Sequence, residues 1–289
     1  MRLRTLFIAL LLIAISCSVS SEEETELKTD QGEKVKVGAW YFGGWSFPPD
    51  QNGHTFHISP TLVTQFSNRE PVWGWREDKQ EIMTEQINYA ADAGLSFWGF
   101  CWYENTLVAQ PDLMDNLNIA LDMFLQSSNR KRLDFFLLSC HPVSPVNWEK
   151  LCNRTIPMFK EENYLTVDGK PIIVFFNADE VIEGMGGIEG TKVALKLYRK
   201  KAKAAGVDEI LIGARTAPRA ALPSYQNKYT ACGFDFLTTY QNSDEGRKHP
   251  GDNDYANLNA GDRKAWTEIP SNTNLPYIPT MGTGYDMRP

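Results

Sequence analysis

The chain has 289 residues, enough for one large domain or two small ones, with 42% hydrophobic and 22% charged residues. That balance supports a sizeable core and excludes a chain too polar to fold. A net charge of −7 without basic clusters excludes nucleic acid as the main partner.

The first residues stand apart from the fold. Met1 to Arg4 is positive, Thr5 to Ile15 is apolar, and Ser16-Cys17 follows, which together read as a secretory signal. The cysteine directly after Ala-Ile-Ser marks Cys17 as a lipidation site, so residues 1–17 are expected to be a lipoprotein signal. Residues 18–34 are polar and acidic and read as a flexible tether. This places the protein in the cell envelope, as an outer-membrane lipoprotein facing the surface or periplasm, with a lipid anchor as its one membrane contact. Cys101, Cys140, Cys152 and Cys232 form no C-x-x-C pair, so no metal site is expected and buried free thiols are favoured over disulfides.

Val35 to Phe42 is the first strand candidate, and Glu77 to Ala93 has helical spacing ended by Gly94. The run Leu95 to Tyr103 is short, nearly all apolar and rich in aromatics, as in a strand buried on both faces. Pro111 to Gln126 is a helix, Leu133 to His141 a strand, and Asn147 to Asn163 a helix bent or split at Pro157. An Asp-Gly turn at Asp168-Gly169 leads to a strand over Ile172 to Phe176. Thr191 to Ala205 is a basic amphipathic helix, followed by a strand over Glu209 to Arg215 and a poorer helix over Arg219 to Ala231. Phe234 to Tyr240 and Tyr277 to Met281 are the last strands, with a short helix over Ala260 to Ile269 between them.

Strand and helix alternate throughout, so the expected fold is α/β, a (β/α)8 TIM-type barrel spanning residues 35–289 with about seven βα units present. An eighth unit is not found, and a chain truncated at its C-terminal side is expected. No Gly-rich loop follows the first strand, which counts against a doubly wound dinucleotide fold.

In a barrel the C-terminal strand ends and the loops after them form the site. Those positions hold Tyr41, Trp45, Tyr103, Glu104, His141, Asn177, Asp179, Glu180, Arg215, Tyr240, Asn242, Tyr285 and Asp286. There is no Ser-His-Asp set, phosphate cradle or metal-spaced cluster among them. Aromatic faces stack on the C–H faces of sugar rings, and amide, acidic, Arg and His groups bond hydroxyls. Carbohydrate is therefore the expected partner, with Tyr41, Trp45, Tyr103, His141, Asn177, Arg215 and Tyr240 as substrate contacts. Gly43 to Arg76 is a long first loop carrying Trp45, Trp73, Trp75, His54 and His57, too aromatic for a disordered segment. Glycoside hydrolysis uses two carboxyl groups, and Glu104 and Asp286 are the expected catalytic pair. No cofactor is expected.

Tyr41 with its Gly/Trp-rich follow-on, the Gly99-Phe-Cys-Trp-Tyr strand, the Val167-Asp-Gly-Lys-Pro171 hairpin and the terminal Gly284-Tyr-Asp-Met-Arg-Pro289 fall in a familiar order. Over residues 36 to 289 the chain resembles glycoside hydrolase family 99 and the WbsX-like proteins assigned to polysaccharide biosynthesis. The resemblance implies a barrel acting on α-mannose-type linkages, with essential glutamates in a W-N-E-W-x-E-G-like segment after strand 8. This sequence contains no such segment. The expected function is an exported glycoside hydrolase-like protein acting on polysaccharide or glycan. Two alternatives stand beside it: a non-catalytic glycan-binding barrel, and a polysaccharide-biosynthesis glycosyltransferase.

Overall fold

The computed structural model describes residues 35–45, 60–104, 117–216, 225–242 and 255–283. Seven strands lie parallel in one sheet: β1 (Gly38–Tyr41), β2 (Phe97–Trp102), β3 (Asp134–Ser139), β5 (Lys170–Phe175), β6 (Leu211–Arg215), β7 (Phe236–Thr238) and β8 (Tyr277–Ile278). Spatial order follows chain order, and the short β4 (Thr166–Val167) pairs antiparallel with β5. Among the described residues β1 and β8 are not paired, so the fold is an open β/α barrel.

Helices occupy the intervals between parallel strands, as parallel pairing requires. They are α1 (Pro60–Gln65), α2 (Gln80–Asp92), α3 (Ile119–Gln126), α4 (Pro145–Met158), α5 (Ala178–Gly184), α6 (Ile188–Ala204), α7 (Tyr225–Cys232) and α8 (Tyr255–Ser271). The expected strands recur within a few residues of their places. Pro157 does not split its helix; it stands in the last turn of α4, so the single N–H it removes lies one residue from the helix end. That helix starts earlier than its apolar spacing suggested, because Ser144 closes a capping box with Asn147 and Pro145 sits in the first turn. The Asp168-Gly169 turn has φ of 51° and 75° at its two residues, the left-handed pair that a tight hairpin needs.

Alternation along the strands sorts side chains into two layers. Trp98 and Phe100 of β2 point outward onto Phe124 of α3, at ring-centroid distances of 5.8 and 5.1 Å. Phe175 of β5 meets Trp148 of α4, which in turn packs against Tyr198 of α6. Burying one such ring is worth about 1.5–3 kcal/mol, so this outer layer carries much of the stability. The inward layer is tighter. A Cβ built on Gly99 of β2 would lie 2.6 Å from Trp40 and 2.7 Å from Phe136, and one on Gly213 would lie 2.4 Å from Phe236. Glycine on one strand thus makes room for an aromatic ring from the next, which is how a narrow barrel fills its taper.

Candidate functional site

The inward positions at the C-terminal strand ends form an aromatic floor. Trp40 stacks on Tyr240, with centroids 5.8 Å apart and planes 27° from parallel. Phe176 meets the same tyrosine edge-on at 5.3 Å, and the Arg215 guanidinium lies 4.6 Å from the Phe176 ring. Tyr103 enters from the end of β2, beside Phe42 at 6.5 Å. The hydroxyl of Tyr103 lies beside the Cys140 thiol and that of Tyr240 beside the Cys101 thiol. Burial, and then the neighbouring thiols, push both phenols well above their usual range, so both stay protonated donors. Cys101 and Cys140 are free thiols.

A second cluster lies outside the sheet, beneath α4. Glu104 is fully buried, and its Oε1 pairs with Lys150 Nζ at 2.6 Å and Arg154 at 3.3 Å. The Glu104 backbone N–H donates to His141 Nδ1 at 3.1 Å. Nδ1 is thus an acceptor, and the hydrogen of the neutral ring sits on Nε2. Burial pushes the His141 pKa down to about 4, against the smaller opposing pull of Glu104. Among the described residues, Glu104 Oε2 and His141 Nε2 are both buried without a hydrogen-bond partner.

The third cluster ties the first loop to β1. Trp45 donates its backbone N–H to Glu77 Oε2 at 3.2 Å, and Glu77 N–H donates to Trp45 O at 3.3 Å. The Trp45 ring meets Trp75 edge-on at 5.1 Å. Tyr41, the last residue of β1, faces the helix layer, where it packs on Trp98 and Phe100 and donates to Gln86 Oε1 of α2 at 2.6 Å.

The expected site residues therefore divide. Tyr103, Arg215 and Tyr240 share the inward floor, and Glu104 and His141 share the outer cluster. Trp45 bonds Glu77 through its backbone, and Tyr41 bonds Gln86 close by. Asn177 caps α5, accepting from Glu180 N–H at 3.4 Å. Asp179 accepts from the Tyr229 hydroxyl at 2.8 Å and pairs with Lys228 at 2.6 Å. Asp286, Tyr285 and Cys17 lie outside the described residues. Trp40, Glu77, Lys150 and Arg154 were not picked from the sequence. Trp40 had a signal in Gly99, the one gap in an aromatic strand; the other three had none. Among the described residues no three His, Cys, Asp or Glu side chains converge as a metal site would need.

A parallel β/α barrel with aromatic, amide and charged side chains at its C-terminal strand ends is the class that fold and site define. Residues 75–268 match the family model described as "Glycosyltransferase WbsX", and the chain belongs to that family. No curated protein matches the chain. Among solved structures it is similar to a GH99 endo-alpha-mannosidase from Bacteroides thetaiotaomicron, bound to bis-tris-propane, at 15% identity and TM-score 0.52. That match covers 86% of this chain and 70% of the other. A second, a "glycoside hydrolase-like protein", gives 16% identity and TM-score 0.52, covering 88% and 73% respectively.

Proposed function

We propose that the protein acts on carbohydrate at the mouth of its open barrel, as a glycoside hydrolase-like protein for polysaccharide or glycan. The observation that carries this reading is the stacked floor of Trp40, Tyr240 and Phe176 with Arg215 over it. Such a floor offers flat apolar faces and a fixed cation side by side, which suits pyranose rings with their equatorial hydroxyls. Tyr103 and Tyr240, kept protonated, supply hydroxyl donors at the same place. The likeness to an endo-alpha-mannosidase makes α-mannose-type linkages the first substrates to try. No cofactor is invoked.

In this reading Tyr103, Arg215 and Tyr240 contact the sugar, Trp45 covers it from the first loop, and Asn177 lies at the rim. Glu104 is held by Lys150 and Arg154 in the outer cluster, apart from the floor, and carboxylate acid/base chemistry falls to Asp286 and residues yet to be identified. Export as an envelope lipoprotein through Cys17 belongs to the same proposal.

The family description favours a second reading, glycosyl transfer in polysaccharide assembly. Incubation with mannose-rich glycans separates the readings. Hydrolysis releases reducing ends; a binding barrel gives saturable binding without release; transfer requires an activated sugar donor and extends an acceptor. No binding to any glycan, with or without donor, rejects all three.

A further inference from the structure

Beyond its last paired residue, β2 is held by side chains in place of strands. Successive residues of a strand turn their backbone groups to alternate neighbours. Trp102 O accepts from Cys140 N–H, so Trp102 faces β3. Tyr103 therefore faces the other side, where β1 has already ended at Tyr41. Its N–H and C=O have no strand to bond and must find partners elsewhere. Asn118 supplies both. Tyr103 N–H donates to Asn118 Oδ1 at 3.0 Å, and Asn118 Nδ2 donates to Tyr103 O at 2.7 Å. A backbone N–H only donates and a carbonyl only accepts, so the pair of bonds also fixes which way the amide is turned. Glu104 N–H, facing β3 again, goes to His141 Nδ1 at 3.1 Å.

Asn118 is drawn away from a more ordinary task. It is buried at the N-cap of α3, where an asparagine side chain usually bonds the first turn, yet it makes no capping bond. Its carbonyl alone serves the helix start, accepting from Asp122 N–H at 3.1 Å. We propose that Asn118 is a positioning residue, which clamps the end of β2, aims the Tyr103 ring into the barrel mouth and so sets how the site holds a sugar. The last part rests on the proposed function. Tyr103 directly follows β2, and its ring meets Phe42 edge-on at 6.5 Å on the inward face. Tyr103 and Asn118 are 15 residues apart, so the clamp ties the end of β2 to the start of α3. With His141 still holding Glu104, loss of the Asn118 amide releases Tyr103 without undoing the strand.

Hydrogen exchange of the wild-type chain tests the clamp without a variant. The Tyr103 amide is expected to be protected although it lies outside the strand pairing, and exchange at the rate of an exposed amide overturns the proposal. That arm holds even if a variant fails to fold. Asn118→Leu is of similar size and removes both bonds. In protein labelled with 3-fluorotyrosine, its Tyr103 resonance, assigned with Tyr103→Phe, is expected to shift or broaden. Tyr164, which packs on Phe135 at the far end of β3, is expected to keep its resonance. A Tyr103 resonance that does not move, or that moves together with Tyr164, overturns the proposal. Affinity for mannose-rich oligosaccharides completes the test. Asn118→Leu is expected to weaken binding by up to about tenfold, and to change nothing further when Tyr103 is already alanine, because it acts through that ring. No loss, or an equal loss in both backgrounds, overturns the positioning role. Wild type that binds no glycan rejects the proposed function alone, and the exchange and resonance results still decide the clamp.

Discussion

Trp40 of β1 and Tyr240, just beyond β7, lie face to face at 5.8 Å, so the first strand of an open sheet and its next-to-last strand touch across the barrel interior. This contact, more than any strand pairing, shows that the sheet is curled. It also makes Tyr240 answerable to two tasks, closing the barrel top and presenting a ring and a hydroxyl to the mouth. Tyr240→Phe keeps the stack and removes the hydroxyl beside Cys101. Its stability is expected to fall by about 0.5–1.5 kcal/mol, the net worth of one hydrogen bond, in a urea unfolding series. Tyr240→Ala loses ring burial as well and is expected to cost about 3–5 kcal/mol.

Gly99 tests the inward packing directly. Alanine there would place its Cβ 2.6 Å from Trp40 and 2.7 Å from Phe136. Both rings are hemmed in, so the misfit is expected to cost about 1–3 kcal/mol, with a changed near-ultraviolet dichroism from the displaced Trp40. A fully stable Gly99→Ala with an unchanged spectrum would show that the rings have room to spare.

The Glu104 cluster predicts asymmetric mutants. Removing the carboxylate with Glu104→Ala leaves Lys150 and Arg154 facing each other beside His141. A fully buried pair would cost about 3–5 kcal/mol to break, but both cations are half exposed, so about 1–3 kcal/mol is expected. Lys150→Ala leaves Arg154 in place and is expected to cost less. Chemical denaturation of the three proteins ranks them.

His141 gives the acid limb of stability. Its folded pKa, about 4, lies below the ordinary histidine value of 6.5 because burial disfavours the charged ring. Stability from this group is complete above pH 6.5 and is lost as pH falls toward 4, by roughly 2–3 kcal/mol at the low end. His141→Gln is expected to flatten that part of the Tm-against-pH curve. An NMR titration of the His141 ring with an ordinary midpoint would contradict this account.

The parallel architecture was legible because strands buried on both faces leave long apolar runs, and Leu95 to Tyr103 is the plainest of them. The Asp168-Gly169 hairpin was legible for a local reason, since its backbone angles demand those residue types. The site was legible in its membership and less so in its arrangement. Tyr41 and Tyr103 both end strands, but alternation puts Tyr103 on the inward face with Gly99 and Tyr41 on the outward face with Phe100, toward α2. Glu104 looked like a lone carboxylate because its partners Lys150 and Arg154 lie on α4, beyond both α3 and β3. Glu77 looked like an ordinary loop acid, since nothing local reveals that the Trp45 backbone bonds it. The short α5 was hidden because Asn177 was read as a strand-end ligand when it is also a helix cap.

The central claim is that the floor around Tyr240 receives a sugar, and calorimetric titration with mannose-rich oligosaccharides tests it most directly. Wild type is expected to bind saturably, and Tyr103→Ala and Tyr240→Phe to bind about tenfold or more weakly, a loss of about 1.4 kcal/mol each. Exposed Val193 of α6 is remote from the barrel interior, and Val193→Ala is expected to bind as wild type does. Binding that is unchanged in the Tyr103 and Tyr240 variants, or absent in wild type, would contradict the account.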